Sequence, residues 1–366
     1  MQILLAIFYF FYFSIIGVYI IFLPKVLSLS GYSSSEIGVI FASAPLVRFI
    51  VPFAFIKGLK INRTTFNLAL FIMSISAMSF YFSLDSFYKL LISNISFGVG
   101  LSLVLPYMEL VALEVLAKER YGKIRLFGSI GFVLVALVLV RFLNPPSIAL
   151  LYLLVLTLLT VSVAFVIATN TKELLSKTSK IANDIDFLKD YKLWLGFILM
   201  QVSFGSFYNF FTIYTTDHGI SLDTTVYLWS FGVAVEIIML FSQARLLKNS
   251  LLRVIQLTTL ATALRWFLVF AFSSSLGVLF LSQAIHALSF ALFHSASIAY
   301  LFTLYKHKSL AQQMFSGMAY GFGAFLGAIS SGYIYEYIPE YLFLVSSFIA
   351  LMATYFLFSF RPQKKG

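Results

Sequence analysis

The sequence has no cysteine, so disulfides, thiolate metal sites and thiol redox chemistry are excluded. It is also poor in charge. Asp, Glu, Lys and Arg make up 11% of its 366 residues, against about 25% in soluble domains. A soluble enzyme, a coiled coil and a disordered regulator all need more polar surface than this. No nucleotide-binding loop, nucleophile elbow or metalloprotease motif occurs, so ATP-driven transport and hydrolysis have no support, and no cofactor or metal is expected. Acidic residues are the scarcest charge: 14 against 25 Lys+Arg, for a net charge of +11. In a soluble protein that excess suggests nucleic acid; in a membrane protein it marks cytoplasmic loops, so the placement of the charges decides.

What is present is apolar: 61% of the residues are hydrophobic and the mean hydropathy is +0.96. Runs of about 20 apolar residues, enough to cross the hydrocarbon as a helix, recur along the whole chain. They predict an all-α integral membrane protein with twelve spans near 1–24, 36–56, 64–84, 88–116, 122–142, 148–168, 191–216, 225–244, 253–272, 276–304, 311–335 and 341–360. The fourth and tenth are long enough to tilt or to extend past the bilayer. The first lacks a basic leader and a small-residue cleavage site, and reads as a retained span. The longest polar stretch, Asn170 to Lys192, divides the chain into six spans on either side. The expected organisation is a first half at 1–168, a cytoplasmic linker at 169–190 and a second half at 191–366. Two six-helix halves joined in this way are the arrangement of major facilitator transporters.

Orientation follows from the basic residues. One set of loops, termini and span ends holds 20 Lys and Arg and the alternate set only Lys25, Lys89 and Arg141. Both termini are therefore expected in the cytoplasm. The +11 reports orientation, and nucleic acid is not implied. Most of the 42 Phe and 21 Tyr are expected at lipid or at the interface.

Ionisable groups inside spans cost about 2.5–3.5 kcal/mol each on translocon scales, and each needs a reason. With a rise of about 1.5 Å per residue, Glu236, Arg265 and His286 all fall near the midplane, on spans eight, nine and ten. Two readings fit: a titratable cluster that takes and releases a proton, or a static Glu–Arg pair with His286 bonded nearby. His294 reads as a satisfied interhelical histidine, with proton coupling as its functional alternative. Gln283, three residues before His286, shares its face and is placed to orient the ring or touch substrate. Glu109 lies deep in span four. Arg125, near the cytoplasmic edge of span five, either snorkels or turns inward to Glu109 or to an anionic substrate. Arg48 either pairs with an acid or lines the cavity. Gln201, Tyr208 and Asn209 offer polar groups on span seven, and Gly317, Gly321, Gly323 and Gly327 signal close helix approach in span eleven.

Several segments resemble known sequences. YGKIRLFGSIGF (121–132) resembles the start of the fifth helix of lactose permease and its relatives in the major facilitator superfamily. VYLWSFGVAVEII (226–238), LRW (264–266), QAIHALSFALFH (283–294) and PYMEL (106–110) resemble the 3-phenylpropionic acid transporter family within that group. The resemblance implies that Arg125 and Glu109 pair and bind substrate, with Phe132 at an aromatic stacking position. It also implies that Glu236, Arg265 and His286 contribute to substrate binding and proton coupling. There are departures. Ser289 stands where lactose permease has an acid, which leaves Glu236 as first choice for the proton carrier and His286 as second. Phe132 replaces a tryptophan, and KGLKINR (57–63) lacks the aspartate of the common facilitator motif.

The expectation is a proton-coupled symporter of the bacterial inner membrane. It is expected to be a monomer in the bilayer, importing a small organic solute by alternating access, with the proton gradient in place of a cofactor. An aromatic or phenylpropanoid carboxylate is the first substrate expected, with Arg125 clamping the acid, and a sugar or nucleoside the second. An exporter of the same fold and a non-transporting receptor or embedded enzyme are the rivals.

Overall fold

The computed structural model describes residues 1–56, 62–116, 118–171, 187–248 and 250–361. Among the described residues there is no strand, and twelve long helices carry the fold. They are α1 (Gln2–Leu29), α2 (Ser34–Ile56), α3 (Arg63–Tyr81), α4 (Phe87–Val115), α5 (Lys118–Leu139) and α6 (Ile148–Thr169). After them come α7 (Tyr191–Asp217), α8 (Leu222–Ser242), α9 (Leu251–Ala271), α10 (Leu276–Leu304), α11 (308–337) and α12 (Leu342–Ser359). Most of the expected linker and the loop after α2 lie outside the described residues.

The observed helix ends fall within a few residues of the hydropathy boundaries. The largest difference is in α1, which runs to Leu29, five residues past the expected end. Pro24 would ordinarily break it. Here it follows Val18–Phe22, where the backbone widens to π-helical bonding, a local adjustment that absorbs the missing N–H.

Eleven of these helices are long and apolar enough to cross a membrane. α11 is the exception, diluted by the five glycines Gly317, Gly321, Gly323, Gly327 and Gly332. They are there for packing. Gly317 and Gly321 receive Pro52 and Phe49 of α2, while Gly323 and Gly327 receive Ile198 and Val202 of α7. A Cβ on Gly321 would stand 2.7 Å from the Phe49 Cα. Small residues let two backbones approach this closely, and dispersion then holds them in a medium that supplies no hydrophobic drive.

The packing repeats. Among the first six helices, α1 packs on α5 and α6, α2 on α4, and α3 on α4 and α6. Among the last six, α7 packs on α11 and α12, α8 on α10, and α9 on α10 and α12, the same list moved on by six helices. The two sets meet through α2–α11, α5–α8 and α1–α7. The aromatic residues depart from expectation, for 16 phenylalanines are buried and 12 strongly exposed among the described residues. Phe197, Phe204, Phe207, Phe210 and Phe211 give α7 a buried aromatic face. With no water to drive association, ring area is what holds helices together.

Candidate functional site

α8, α9 and α10 bring three of the deep ionisable residues into one chain of contacts. Arg265 on α9 is fully buried. Its guanidinium lies 4.3 Å from the ring centroids of both Phe207 and Trp266, so π faces stabilise a charge that has no carboxylate beside it. Nη1 donates to Nδ1 of His286 at 2.9 Å, and more weakly to Ser289 Oγ at 3.4 Å. Nη2 donates to Oε1 of Gln283 at 3.2 Å. A guanidinium only donates. Nδ1 of His286 must therefore accept, and the imidazole proton is assigned to Nε2. That nitrogen faces Oε2 of Glu236 at 3.8 Å. The order is thus Arg265, His286, Glu236, and the direct Glu–Arg pair does not form because an imidazole stands between them. α10 turns π-helical at Ala287–Leu292, directly after His286, which swings Ser289 toward Arg265. Gln283, 1% exposed, is committed to the guanidinium.

Across the interface Arg125 turns into the bundle. Its Nε lies 3.5 Å from Oε1 of Glu109, and its guanidinium sits over the rings of Phe13 (4.0 Å) and Tyr9 (5.2 Å) of α1. Tyr121 stands beside Glu109. Arg125 is also near enough for its charge to act on Glu236, from α5 to α8. Depth agrees with this. Arg125 lies fourteen residues before Leu139, Glu236 fourteen after Leu222 and Arg48 fourteen after Ser34, each about 21 Å along its helix from the basic-poor end.

The other residues singled out from the sequence divide. Tyr208 is half-buried and stacks on Phe204 at 5.5 Å; the charges of Glu236, Arg265 and Arg48 all reach it. Asn209 is spent on its own helix, with Nδ2 donating to the Gly205 carbonyl at 2.8 Å. Nδ1 of His294 shares a hydrogen bond with the Tyr320 hydroxyl of α11 at 2.8 Å. Phe132, 9% exposed, belongs to the α1–α5 packing, with its carbonyl against Gly17. It therefore offers a substrate little ring surface. Gln201 is 2% exposed and packs beside Gly323 of α11.

Sequence reasoning missed Tyr19 and Tyr320. Tyr19 and Tyr320 each sit in a π-helical stretch, a common device at functional sites, but nothing in the sequence distinguishes them among the 21 tyrosines.

The space these groups share is tied shut at the basic-poor end. Lys25 pairs with Asp217 at 3.3 Å, and the Tyr335 hydroxyl donates to the same carboxylate at 2.8 Å. Arg141 pairs with Asp223 at 3.3 Å and donates to the Tyr227 hydroxyl at 2.9 Å. The backbone N–H of Ser35 donates to Glu336 at 2.7 Å. The Lys25, Arg141 and Ser35 contacts join the first six helices to the last six. Glu109 and Arg125, 35% and 31% exposed, lie toward the opposite, basic end of their helices. Asp217→Asn with Asp223→Asn is expected to loosen the tied end. The chain has no cysteine, so an Ile16→Cys probe on α1 has no labelling background. A maleimide supplied from the basic-poor side should react several-fold faster in the double variant. An unchanged rate would show that these pairs do not hold that end.

The sequence pattern of the MFS_1 like family matches residues 2–345. Among curated relatives, the chain is 24% identical to the probable 3-phenylpropionic acid transporter of Escherichia coli (strain K12), covering 96% of both chains. It is 26% identical to the uncharacterized transporter YwbF of Bacillus subtilis (strain 168), covering 89% of this chain and 83% of the relative. The crystal structure of the nucleoside transporter NupG superposes with a TM-score of 0.80 at 16% identity, over 98% of this chain and 99% of NupG. A bacterial homologue of the human lysosomal transporter Spinster, in an inward-facing and occupied conformation, gives 0.72 at 13% identity, over 98% of this chain and 95% of that one. At these identities the structural likeness establishes fold.

Proposed function

The chain belongs to the MFS_1 like family and is a multi-pass membrane transporter of the major facilitator type, not an enzyme; we propose that it carries a small aromatic carboxylate into the bacterial cytoplasm together with protons. Transporters of this type need no cofactor. The observation that carries the reading is the buried series Arg265, His286, Glu236. Arg265 occupies Nδ1, so His286 can pass a proton only through Nε2, and Glu236 is the acceptor that nitrogen faces. Glu236 also lies within reach of the Arg125 charge across the interface, so its protonation alters the attraction between the two sets of helices. Proton binding and rocking are coupled in this way.

The moving bodies are the halves 1–168 and 191–366, joined by the linker 169–190. With 20 basic residues against 3 between the two ends, the termini face the cytoplasm of the inner membrane. The tied end is then periplasmic and this conformation is open inward. The site is complete within one chain, which supports a working monomer. The aromatic acid rests on the likeness to the Escherichia coli relative and on rings lining the shared space: Phe13, Tyr208 and Tyr320.

Reconstituted vesicles, acid outside, should accumulate labelled 3-phenylpropionate or a related aromatic acid. A proton ionophore should abolish that accumulation and leave counterflow. Counterflow with sugars or nucleosides but with no aromatic acid would overturn the substrate class. Accumulation indifferent to the ionophore would overturn proton coupling.

A further inference from the structure

Three arginines lie at depth in the bundle, and two are engaged: Arg125 with Glu109 and Arg265 with His286 and Gln283. Arg48 on α2 has no carboxylate within ion-pair distance and no hydrogen-bond partner among the described residues. It is nevertheless exposed. An unneutralised guanidinium inside a membrane span is costly unless it faces water or a ligand.

The rotation of α2 shows where Arg48 points. Each residue advances the helix by about 100°. Ile50 and Phe53, the exposed apolar residues, are about 200° and 140° from Arg48 and mark the lipid side. Phe49 and Pro52 pack on the α11 glycines, on one flank. Ala44 meets Gly98, and Ile40 and Ser43 accept from Asn94, all against α4 on the other flank. The fourth side, opposite the lipid, carries Arg48 and, seven residues earlier, Phe41. Phe41 rests on Tyr19 of α1 with centroids 5.0 Å apart. Moving two turns toward the basic end reaches Arg48 on α2 and Tyr12 on α1, so these two share a level. The charge of Arg48 accordingly acts on Tyr12 and Tyr19 of the first six helices and on Tyr208 and Tyr320 of the last six. A group felt by both sets lies in the space between them.

We propose that Arg48, and not Arg125, anchors the anionic group of the substrate, with Tyr208 and Tyr320 around the body of the ligand. Arg125 already has an acid, whereas Arg48 presents a free planar fork of the kind that binds a carboxylate through two parallel bonds. The anchor sits at the level of Glu236 and Arg125, so a bound anion adds a negative charge to the layer where the proton is handled. The proposal deepens the transport reading and rests on it for the existence of a substrate, while requiring only that the substrate be an organic anion.

The test compares binding of 3-phenylpropionate, its neutral amide, an aliphatic acid of similar length, a disaccharide and a nucleoside to the purified full chain. The parent, Arg48→Gln, Arg48→Lys and Arg125→Gln are measured in parallel, each with its unliganded melting temperature as a check on folding. The parent should prefer acid to amide, and Arg48→Gln should lose that preference, with acid affinity down roughly tenfold to a hundredfold, as expected for a charged hydrogen bond. Arg48→Lys should keep part of the preference. Arg125→Gln, whatever its affinity, should still discriminate acid from amide. If Arg48→Gln keeps the parent's preference, or Arg125→Gln abolishes it, the anchor is misassigned while the aromatic-acid reading stands. If the aliphatic acid alone binds and depends on Arg48, the anchor stands and the aromatic reading falls. Binding confined to the disaccharide or nucleoside overturns both.

Discussion

Glu236→Gln is expected to abolish proton-driven accumulation while exchange of labelled for unlabelled substrate continues near the parent rate. Gln has the shape of protonated Glu and keeps an oxygen facing Nε2 of His286, where Glu236 Oε2 now lies at 3.8 Å. Contacts and packing are therefore retained. What is lost is the ability to release a proton. Exchange requires only that the loaded transporter change sides. Net uphill movement requires the empty one to return after deprotonation, and a permanently neutral side chain cannot do so. Uptake into vesicles with and without an imposed pH gradient separates the two. Accumulation that survives in Glu236→Gln would remove this residue as the carrier and leave His286 next in line. Loss of both accumulation and exchange would mean that the residue holds the fold or the ligand.

The second large effect is steric. Gly131→Ala should lower the melting temperature by several degrees and abolish transport, because the added Cβ would clash with the carbonyl oxygen of Phe10 and stand 2.9 Å from Ser14 Oγ. Backbone cannot yield as a side chain does, so α1 must move away from α5. That movement breaks the bond from Ser14 Oγ to the Gly131 carbonyl, now 3.0 Å. It also lifts Phe13 from the Arg125 guanidinium, 4.0 Å away. Overpacking a close contact typically costs about 1–3 kcal/mol, and here the loss falls on the helix pair that positions Arg125. Gly122→Ala is the control, since nothing lies within 4 Å of a Cβ at that position of the same helix. Equal melting temperatures for the two variants would show that α1 accommodates the methyl group.

These predictions rest unequally on sequence and structure. Glu236, Arg265 and His286 were legible as a group because depth in a membrane is linear in residue number, and three charges at one depth need each other. Their order was not legible. That Nδ1 of His286 takes the Arg265 proton donor, leaving Nε2 for Glu236, depends on the rotation of α8, α9 and α10 about their axes, and rotation is set by neighbours. Phe132 shows the same limit from the other side. Its place in a motif suggested a stacking ring, but the packing of α5 leaves the residue only 9% exposed. The tyrosines were missed for a related reason: in so aromatic a chain, composition cannot separate a ring in the cavity from one in the core.

By itself the sequence determined that the chain is an all-helical, multi-pass membrane protein, which end carries the positive charge, and which few charges lie at depth. Those follow from length, composition and counting, all local or additive quantities. The tertiary structure decided which helices are neighbours and which face each turns inward. It brought Arg125 to Glu109, set His286 between Arg265 and Glu236, and left Arg48 without a hydrogen-bond or ion-pair partner among the described residues. Such outcomes depend on side chains distant in sequence interlocking, as Gly321 does with Phe49, and no single span contains that information.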